Sequence, residues 1–330
     1  MTTCLCCGGE SHKFGRFQNV NRIVQRYRCG RCGKTFSESQ PLDGLRTDHE
    51  TVVQIVKLLC EGVGVRATAR LTGCQHKTVL AVLNSVGEKC GQFHDKVVRN
   101  VTPGALQIDE LWSRVGISQR RTTPDDELRG DFYTYLAVTD REKFIVSYHT
   151  GKRDYENTDE FVADVAERIV GRIQITTDSF RPYQSTVRRH LLERLDFATM
   201  QKIYGTLNGR YSGPLINWET LNPIHRYSPP QCTGIKIRIQ AGTPSRDRIS
   251  TSFVERANLS VRHFNKRFAR LTLCWSRKLE NHRNAISLFI AAYNFCKVHS
   301  TLGCTPAKSL KLATETWTIE KLIETVTATN

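Results

Sequence analysis

No stretch of this 330-residue chain approaches the roughly 18 consecutive apolar residues that a membrane helix requires, and its first residues lack the apolar core of a secretory signal. Helical membrane proteins are therefore excluded, and a cytoplasmic location is expected. Acid is scarce as well: 48 Lys and Arg stand against 32 Asp and Glu, a formal net charge of +16. Such an excess points to a polyanionic partner. It is also concentrated, because residues 256–311 hold 11 basic residues and one acid, Glu280. Internal repeats, low-complexity tracts and heptad seams are missing too, so nothing suggests a solenoid or coiled coil. What remains is a globular composition, 39% hydrophobic and 24% charged, at a length that suits two or three domains.

Twelve cysteines in a reducing compartment should not form disulfides. Cys4-Leu5-Cys6-Cys7 and Cys29-Gly30-Arg31-Cys32 form two C-x-x-C pairs, and four thiolates so spaced suit a closed, structural Zn²⁺ site. Cys6 and His12 are spare candidates, and four plain reduced cysteines are the alternative. Arg26 to Arg28 and Lys34 to Phe36 read as two short strands, making residues 1–46 a zinc ribbon whose basic residues can touch DNA phosphates. Residues 47–96 then read as helical. A helix around Val52 to Leu59 precedes Val65 to Leu71, the turn Thr72-Gly73-Cys74, and a helix from Gln75 onward. Those lengths match a helix-turn-helix, in which Gln75, His76, Lys77 and Thr78 would face the major groove. A helical hairpin that only packs a core is the competing reading.

From Val97 the pattern becomes short and alternating. Ala105 to Ser113, Phe132 to Val138 and Phe144 to His149 read as strands, Thr158 to Val170 as a helix, and Arg172 to Ser179 as a further strand, together a mixed α/β sheet. Asp109 follows the apolar core of the first strand and Asp178 ends the last one. Adjacent pairing of these strands would bring the two carboxylates together. A third acid, Glu255, begins the stretch from Thr251 to Leu271, read as one helix with Val254, Leu259, Val261 and Phe268 on its apolar face and Arg262, Lys266 and Arg267 among its cations. Each acid alone is ordinarily a strand-end residue or an ion-pair partner. As a set they are hard oxygen ligands for Mg²⁺ or Mn²⁺, and two such ions can activate an attacking hydroxyl and stabilise a leaving oxygen.

The order Asp109, Asp178, Glu255, with Arg262 seven residues further on, resembles the DDE transposases of the RNase H-like superfamily. Q-I-D-E-L-W, T-T-D-S-F-R-P-Y, V-E-R-A-N-L-S-V-R and R-L-T-L-C-W-S-R resemble the acid motifs and basic segment of the insertion-sequence-one family. The resemblance runs from Cys4 to about Ser300. It implies an RNase H-like α/β catalytic core at 97–310, preceded by the zinc ribbon and helix-turn-helix and followed by a C-terminal tail at 311–330. It also implies a transposase that binds double-stranded terminal repeats and target DNA, holds about two catalytic divalent ions on Asp109, Asp178 and Glu255, positions phosphates with Arg262, Lys266 and Arg267, and works as a homo-oligomer on DNA. Compact members of that family have a shorter gap before the glutamate, so residues 202–248 read as an insertion, with Gly234 to Ile239 as a basic strand. Glu219 and Glu193 are the rival third acids. A DNA-binding regulator derived from a transposase and a nuclease without strand transfer are the alternative functions.

Overall fold

The computed structural model describes residues 2–4, 7–19, 22–37, 45, 47–205, 231–269 and 272–328. Cys6, Glu219, Arg270 and the Gly- and Pro-rich part of the expected insertion at 206–230 lie outside the described residues.

The N-terminal segment is a four-stranded antiparallel sheet in chain order, β1 (Thr2–Thr3), β2 (Glu10–Asn19), β3 (Arg22–Cys29) and β4 (Thr35–Ser37). Tyr27 pairs with Phe36, so the two short strands expected there form one hairpin across the Cys29–Cys32 knuckle. Its buried apolar side chains among the described residues are Cys4, Val24 and Cys29, and no residue of β1 to β4 belongs to the main core. Such a sheet has too little apolar surface to hold itself together.

Three helices follow: α1 (His49–Cys60), α2 (Val65–Thr72) and α3 (His76–Val97). Asp48 caps α1 by accepting the Thr51 N–H at 2.9 Å. Gly73, at φ 68°, takes the left-handed conformation that ends α2 and turns the chain into α3.

A six-stranded mixed sheet forms the centre of the molecule. Its strands are β5 (Ala105–Val115), β6 (Gly130–Thr139), β7 (Ile145–Gly151), β8 (Ile173–Thr177), β9 (Leu195–Gly205) and β10 (Gln231–Ala241), in the order β10-β9-β8-β5-β6-β7. β5, β8 and β9 run parallel while β6, β7 and β10 are antiparallel to their neighbours. The parallel connections carry α4 (Tyr155–Arg168) and α5 (Arg181–Leu191). Period-two alternation sends Leu106 and Ile108 of β5 into one hydrophobic cluster with Phe161, Val165, Tyr183 and Val187 of these helices, while Leu111 joins another.

That second cluster includes Val254, Ala257 and Val261 of α6 (Ser252–Phe264). The expected long helix therefore ends earlier than Leu271. Asn265 leaves helical geometry at φ −132°, its Oδ1 accepts the Arg267 N–H at 3.3 Å, and its Nδ2 donates to the Ala285 carbonyl at 3.3 Å. A single turn of 3-10 helix at Lys266–Phe268 follows and drives Phe268 into the core. Leu259, expected on the apolar face, is 52% exposed, and Ala257 and Asn258 take its place in the interior.

α7 (Leu279–Phe295) is buried nearly all round. Leu288, Ala292 and Phe295 face one cluster while Ile286, Phe289, Ile290 and Tyr293 face the other. It lies tightly on α3, where a Cβ at Gly87 would stand 2.3 Å from the Asn284 carbonyl oxygen. After the short α8 (Pro306–Ser309), residues 311–328, expected as a tail, carry α9 (Ile319–Ala328). Leu322, Ile323 and Val326 of α9 enter the cluster that already joins α1, α3 and the sheet. The helices at 47–96 and the C-terminal segment thus pack into one continuous core with the sheet. No helix among the described residues is long and apolar enough to cross a membrane.

Candidate active site

The parallel pairing of β5 with β8 ends at Ile108 opposite Thr177. The next residue on each strand is an acid, Asp109 and Asp178. Because β8 stops there, β5 runs on without that neighbour, and a gap opens at the strand ends. Asp109 points to the α6 side and Glu110, one residue on, toward α5. Across the gap the carboxylates of Asp109, Glu110 and Asp178 still converge, with one oxygen of each lying within 4.8 Å of the others. Glu110 is the acid that sequence reasoning passed over, since period two sends it to the face opposite Asp109.

Each acid is held by specific donors. Asn258 Nδ2 of α6 donates to Asp109 Oδ2 at 2.8 Å, and the Phe180 N–H donates to Asp178 Oδ1 at 2.9 Å. Glu110 accepts from Arg153 Nε at 2.6 Å and from the Tyr183 hydroxyl at 2.9 Å, with the Arg153 guanidinium stacked 3.9 Å from the Phe180 ring centroid. These bonds do not neutralise the cluster. Burial, then the charges of Glu110 and Asp178, raises the Asp109 carboxyl to about 7. Burial likewise raises Glu110 and Asp178 above the ordinary carboxylate range, against the lowering influence of Arg153. Three crowded carboxylates with hard oxygen donors and raised proton affinity are the environment in which a divalent cation would relieve repulsion, so the donor set fits Mg²⁺ or Mn²⁺.

Asp109, Asp178 and Glu255 all line one cavity of about 720 Å³. Glu255 reaches it from the first turn of α6 but stands outside the group of three converging acids, because its carboxylate pairs with Lys202 of β9 and accepts from the Thr251 hydroxyl at 2.7 Å. Lys202, expected at the boundary of an insertion, is part of this cavity wall. The first turn of α6 is itself fixed from the sheet. Gln107 Oε1 of β5 accepts the N–H groups of Phe253 at 2.7 Å and Val254 at 3.1 Å. The Thr251 side chain makes no capping bond. The rival acid Glu193 lies in a short 3-10 turn after α5 and does not line the cavity.

The other expected site residues are separate. Sγ atoms of Cys4, Cys7, Cys29 and Cys32 lie within 4.8 Å of one another, with Cys4 to Cys32 at 3.6 Å and Cys7 to Cys29 at 3.5 Å. Thiolates about 2.3 Å from one tetrahedral ion stand roughly 3.8 Å apart, so this cluster fits Zn²⁺. Backbone N–H groups of Cys32 at 3.4 Å and Arg31 at 3.3 Å point at Cys29 Sγ, and these bonds lower its thiol to about 6. Gln75, His76 and Lys77 are exposed at the start of α3, with Thr78 half-buried. In the basic segment Lys266 is exposed while Arg262 and Arg267 are both partly covered, and burial lowers the Arg267 guanidinium to about 10.

No family model matches the chain, and no curated protein matches it. Among solved structures, one similar chain is that of a piggyBac transposase in its synaptic complex with hairpin DNA. It is 9% identical with a TM-score of 0.34, over 84% of this chain and 69% of that one, too slight a likeness to carry an argument.

Proposed function

We propose that the chain is a metal-dependent DNA transposase of the DDE type, resembling the insertion-sequence-one family. The observation that carries this reading is the convergence of Asp109 and Asp178 just past the end of the pairing between adjacent parallel strands, in one cavity with Glu255, in a chain of net charge +16. A sheet with three meandering antiparallel strands followed by two parallel ones, in the order β7-β6-β5-β8-β9, supports an RNase H-like core.

In this reading Asp109 and Asp178 would hold the catalytic ions, and Glu255, freed from Lys202, would serve as their third ligand. When bound, the ions supply positive charge to the attacking and leaving oxygens of a phosphodiester. Asn258 and the Phe180 N–H orient the two aspartates. Lys202, released from Glu255, can face a phosphate. The four cysteines hold zinc in a ribbon that, with α2 and α3 as a helix-turn-helix, binds the element's terminal repeats through Gln75, His76, Lys77 and Thr78. Arg262 and Lys266 serve the DNA backbone, with the partly covered Arg267 next in the chain. Two ends cut and joined in one event call for a dimer or larger assembly on DNA.

The test is incubation of plasmid DNA carrying the sequence that flanks this gene with Mg²⁺ and protein. Wild type should yield 3′-hydroxyl ends and joined products, and Asp178→Asn and Glu255→Gln should lose both. Cleavage that survives Glu255→Gln sinks the choice of third acid. Cleavage without joining points to a nuclease. A second reading, a DNA-binding regulator, draws on the Lys202–Glu255 ion pair, which already neutralises the third acid. It is favoured by specific DNA binding with no cleavage in Mg²⁺ or Mn²⁺.

A further inference from the structure

Behind α6, on the side away from Glu255, lies a second cavity of about 780 Å³. Helix geometry produces the pairing of the two sites. Thr251 and Glu255 look into the acid cleft, while Ser252, Arg256, Ser260 and His263 look into the second cavity. Lys143, Lys297 and His299 close it from the sheet and from the segment after α7.

Among the described residues no carboxylate lines this cavity. Lys143, Arg256 and Lys297 converge on it, and none of the three takes part in an ion pair among the described residues. Lys143 Nζ donates to the Thr301 hydroxyl, and aromatic faces stand beside both lysines. Lys297 Nζ stands 2.9 Å from the Phe264 ring centroid and Lys143 Nζ 5.5 Å from that of Phe253. Burial lowers Lys297 below the usual lysine range, and Arg256 adds to the effect against the pull of Glu61. His299 is lowered to about 4 by burial and by Lys143, Lys297 and Arg256, and its Nε2 is buried without a hydrogen-bond partner. Crowded cations and aromatic walls together describe a place for an anion that carries a flat ring. The volume falls in the range of small-molecule sites, roughly 300–1,000 Å³. A helix with its side chains is roughly 10 Å across, so a strand whose phosphodiester lies in the acid cleft has its next nucleotides within reach of this cavity.

We propose that the cavity seats one unpaired nucleotide of the DNA being cut, its phosphate among Lys143, Arg256 and Lys297 and its base against the aromatic wall of Phe253 and Phe264. The inference rests on the acid cleft acting on DNA. Base faces inside a duplex are covered by their neighbours, so stacking on these rings selects single-stranded or extruded nucleotides.

The test compares binding of the full chain, without Mg²⁺, Mn²⁺ or chelator so that nothing is cut and the cysteine-held zinc is kept, to a blunt duplex and to the same duplex with a single-stranded extension of about five nucleotides. Wild type should prefer the extended duplex about tenfold, the scale of one stacked base. Arg256→Gln with Lys297→Gln should lose that preference while blunt-duplex affinity and thermal midpoint hold. A 2-aminopurine at the first unpaired position supplies a readout that needs no variant, since stacking should quench it on binding. The proposal is overturned if the folded double variant keeps the preference, or if wild type shows neither preference nor quenching. In those cases duplex binding and cleavage leave the transposase reading standing. If wild type binds neither duplex, both readings fall.

Discussion

Replacing Gln107 by Leu should loosen the first turn of α6 and move Glu255. The side chain is 1% exposed, and its Oε1 takes the two N–H groups that the helix end leaves open, at 2.7 and 3.1 Å. Leucine fills nearly the same volume, so no cavity term enters. Each donor left without an acceptor costs about 1–3 kcal/mol. Against this, Gln107 Nε2 is buried without a partner, and removing it returns about 1–3 kcal/mol. The net expectation is a loss of about 1–3 kcal/mol, read as a lower urea midpoint at constant slope. Gln107→Glu keeps acceptor oxygens at the positive end of the helix and should stay within about 1 kcal/mol of wild type. Misplacing a reacting group by about 1 Å costs on the order of 100-fold in rate, so cleavage by Gln107→Leu should fall far beyond its unfolded fraction. A Leu variant within about 0.5 kcal/mol of wild type refutes the capping argument.

Two further outcomes follow from the rest of the fold. Each chain should bind one zinc ion, and chelation or Cys29→Ser should leave residues 2–37 open to protease while the urea midpoint of the main core stays put, because the ribbon shares no cluster with it; a ribbon that stays resistant after chelation refutes this. The buried histidines should each withdraw stability as pH drops, while the raised carboxylates of Asp109, Glu110 and Asp178 return some over the same window. His94 is lowered to about 4 by burial and by Arg168, and His282 to about 3 by burial and by Arg267 and Arg283. With ordinary values near 6.5, the unfolded chain takes up protons below that pH that the folded chain refuses, so stability declines through the window from 6.5 toward 4 by on the order of 3 kcal/mol or more per histidine. His282 hydrogen-bonds Ser113 and Ser276 at 3.0 Å each, and between pH 7 and 5 the thermal midpoint of His282→Asn should gain on that of wild type. A difference between the two midpoints that stays constant from pH 7 to 5 refutes it.

The central sheet was legible because its strands advertise themselves. Alternation in Ala105 to Ser113 and in the residues before Asp178 placed Asp109 after one strand's apolar core and Asp178 at another's end, and parallel pairing at Ile108 and Thr177 did the rest. The same period-two logic hid Glu110, because opposite faces of a strand converge only where the neighbouring strand stops. Lys202 was hidden for another reason. It lies at the start of the stretch that read as an insertion, yet β9 is an internal strand paired with β8 and β10. The break at Asn265 gives no local helix-stop signal such as Gly or Pro, and it is set by a tertiary bond to Ala285. Leu259 reads as core by hydropathy alone, but the second cavity leaves it exposed.

The acid cleft runs against the rest of the fold. Arg168 meets both Asp95 and Asp164, yet where β8 stops beside β5 three carboxylates are crowded until their proton affinities rise. A fold optimised for stability alone would replace one of them with an amide, as it has with Asn258 beside Asp109. The local partners instead leave charge to be met from outside. Arg153 and Tyr183 occupy both oxygens of Glu110, whereas Asp109 and Asp178 each take a single donor among the hydrogen bonds that hold them. Lone pairs therefore remain open on the two acids that line the cavity, and Glu110 acts as the anchored charge behind them, raising the affinity of both for a cation. On this argument Glu110→Gln should weaken Mn²⁺ binding without abolishing it, while Asp109→Asn should abolish it.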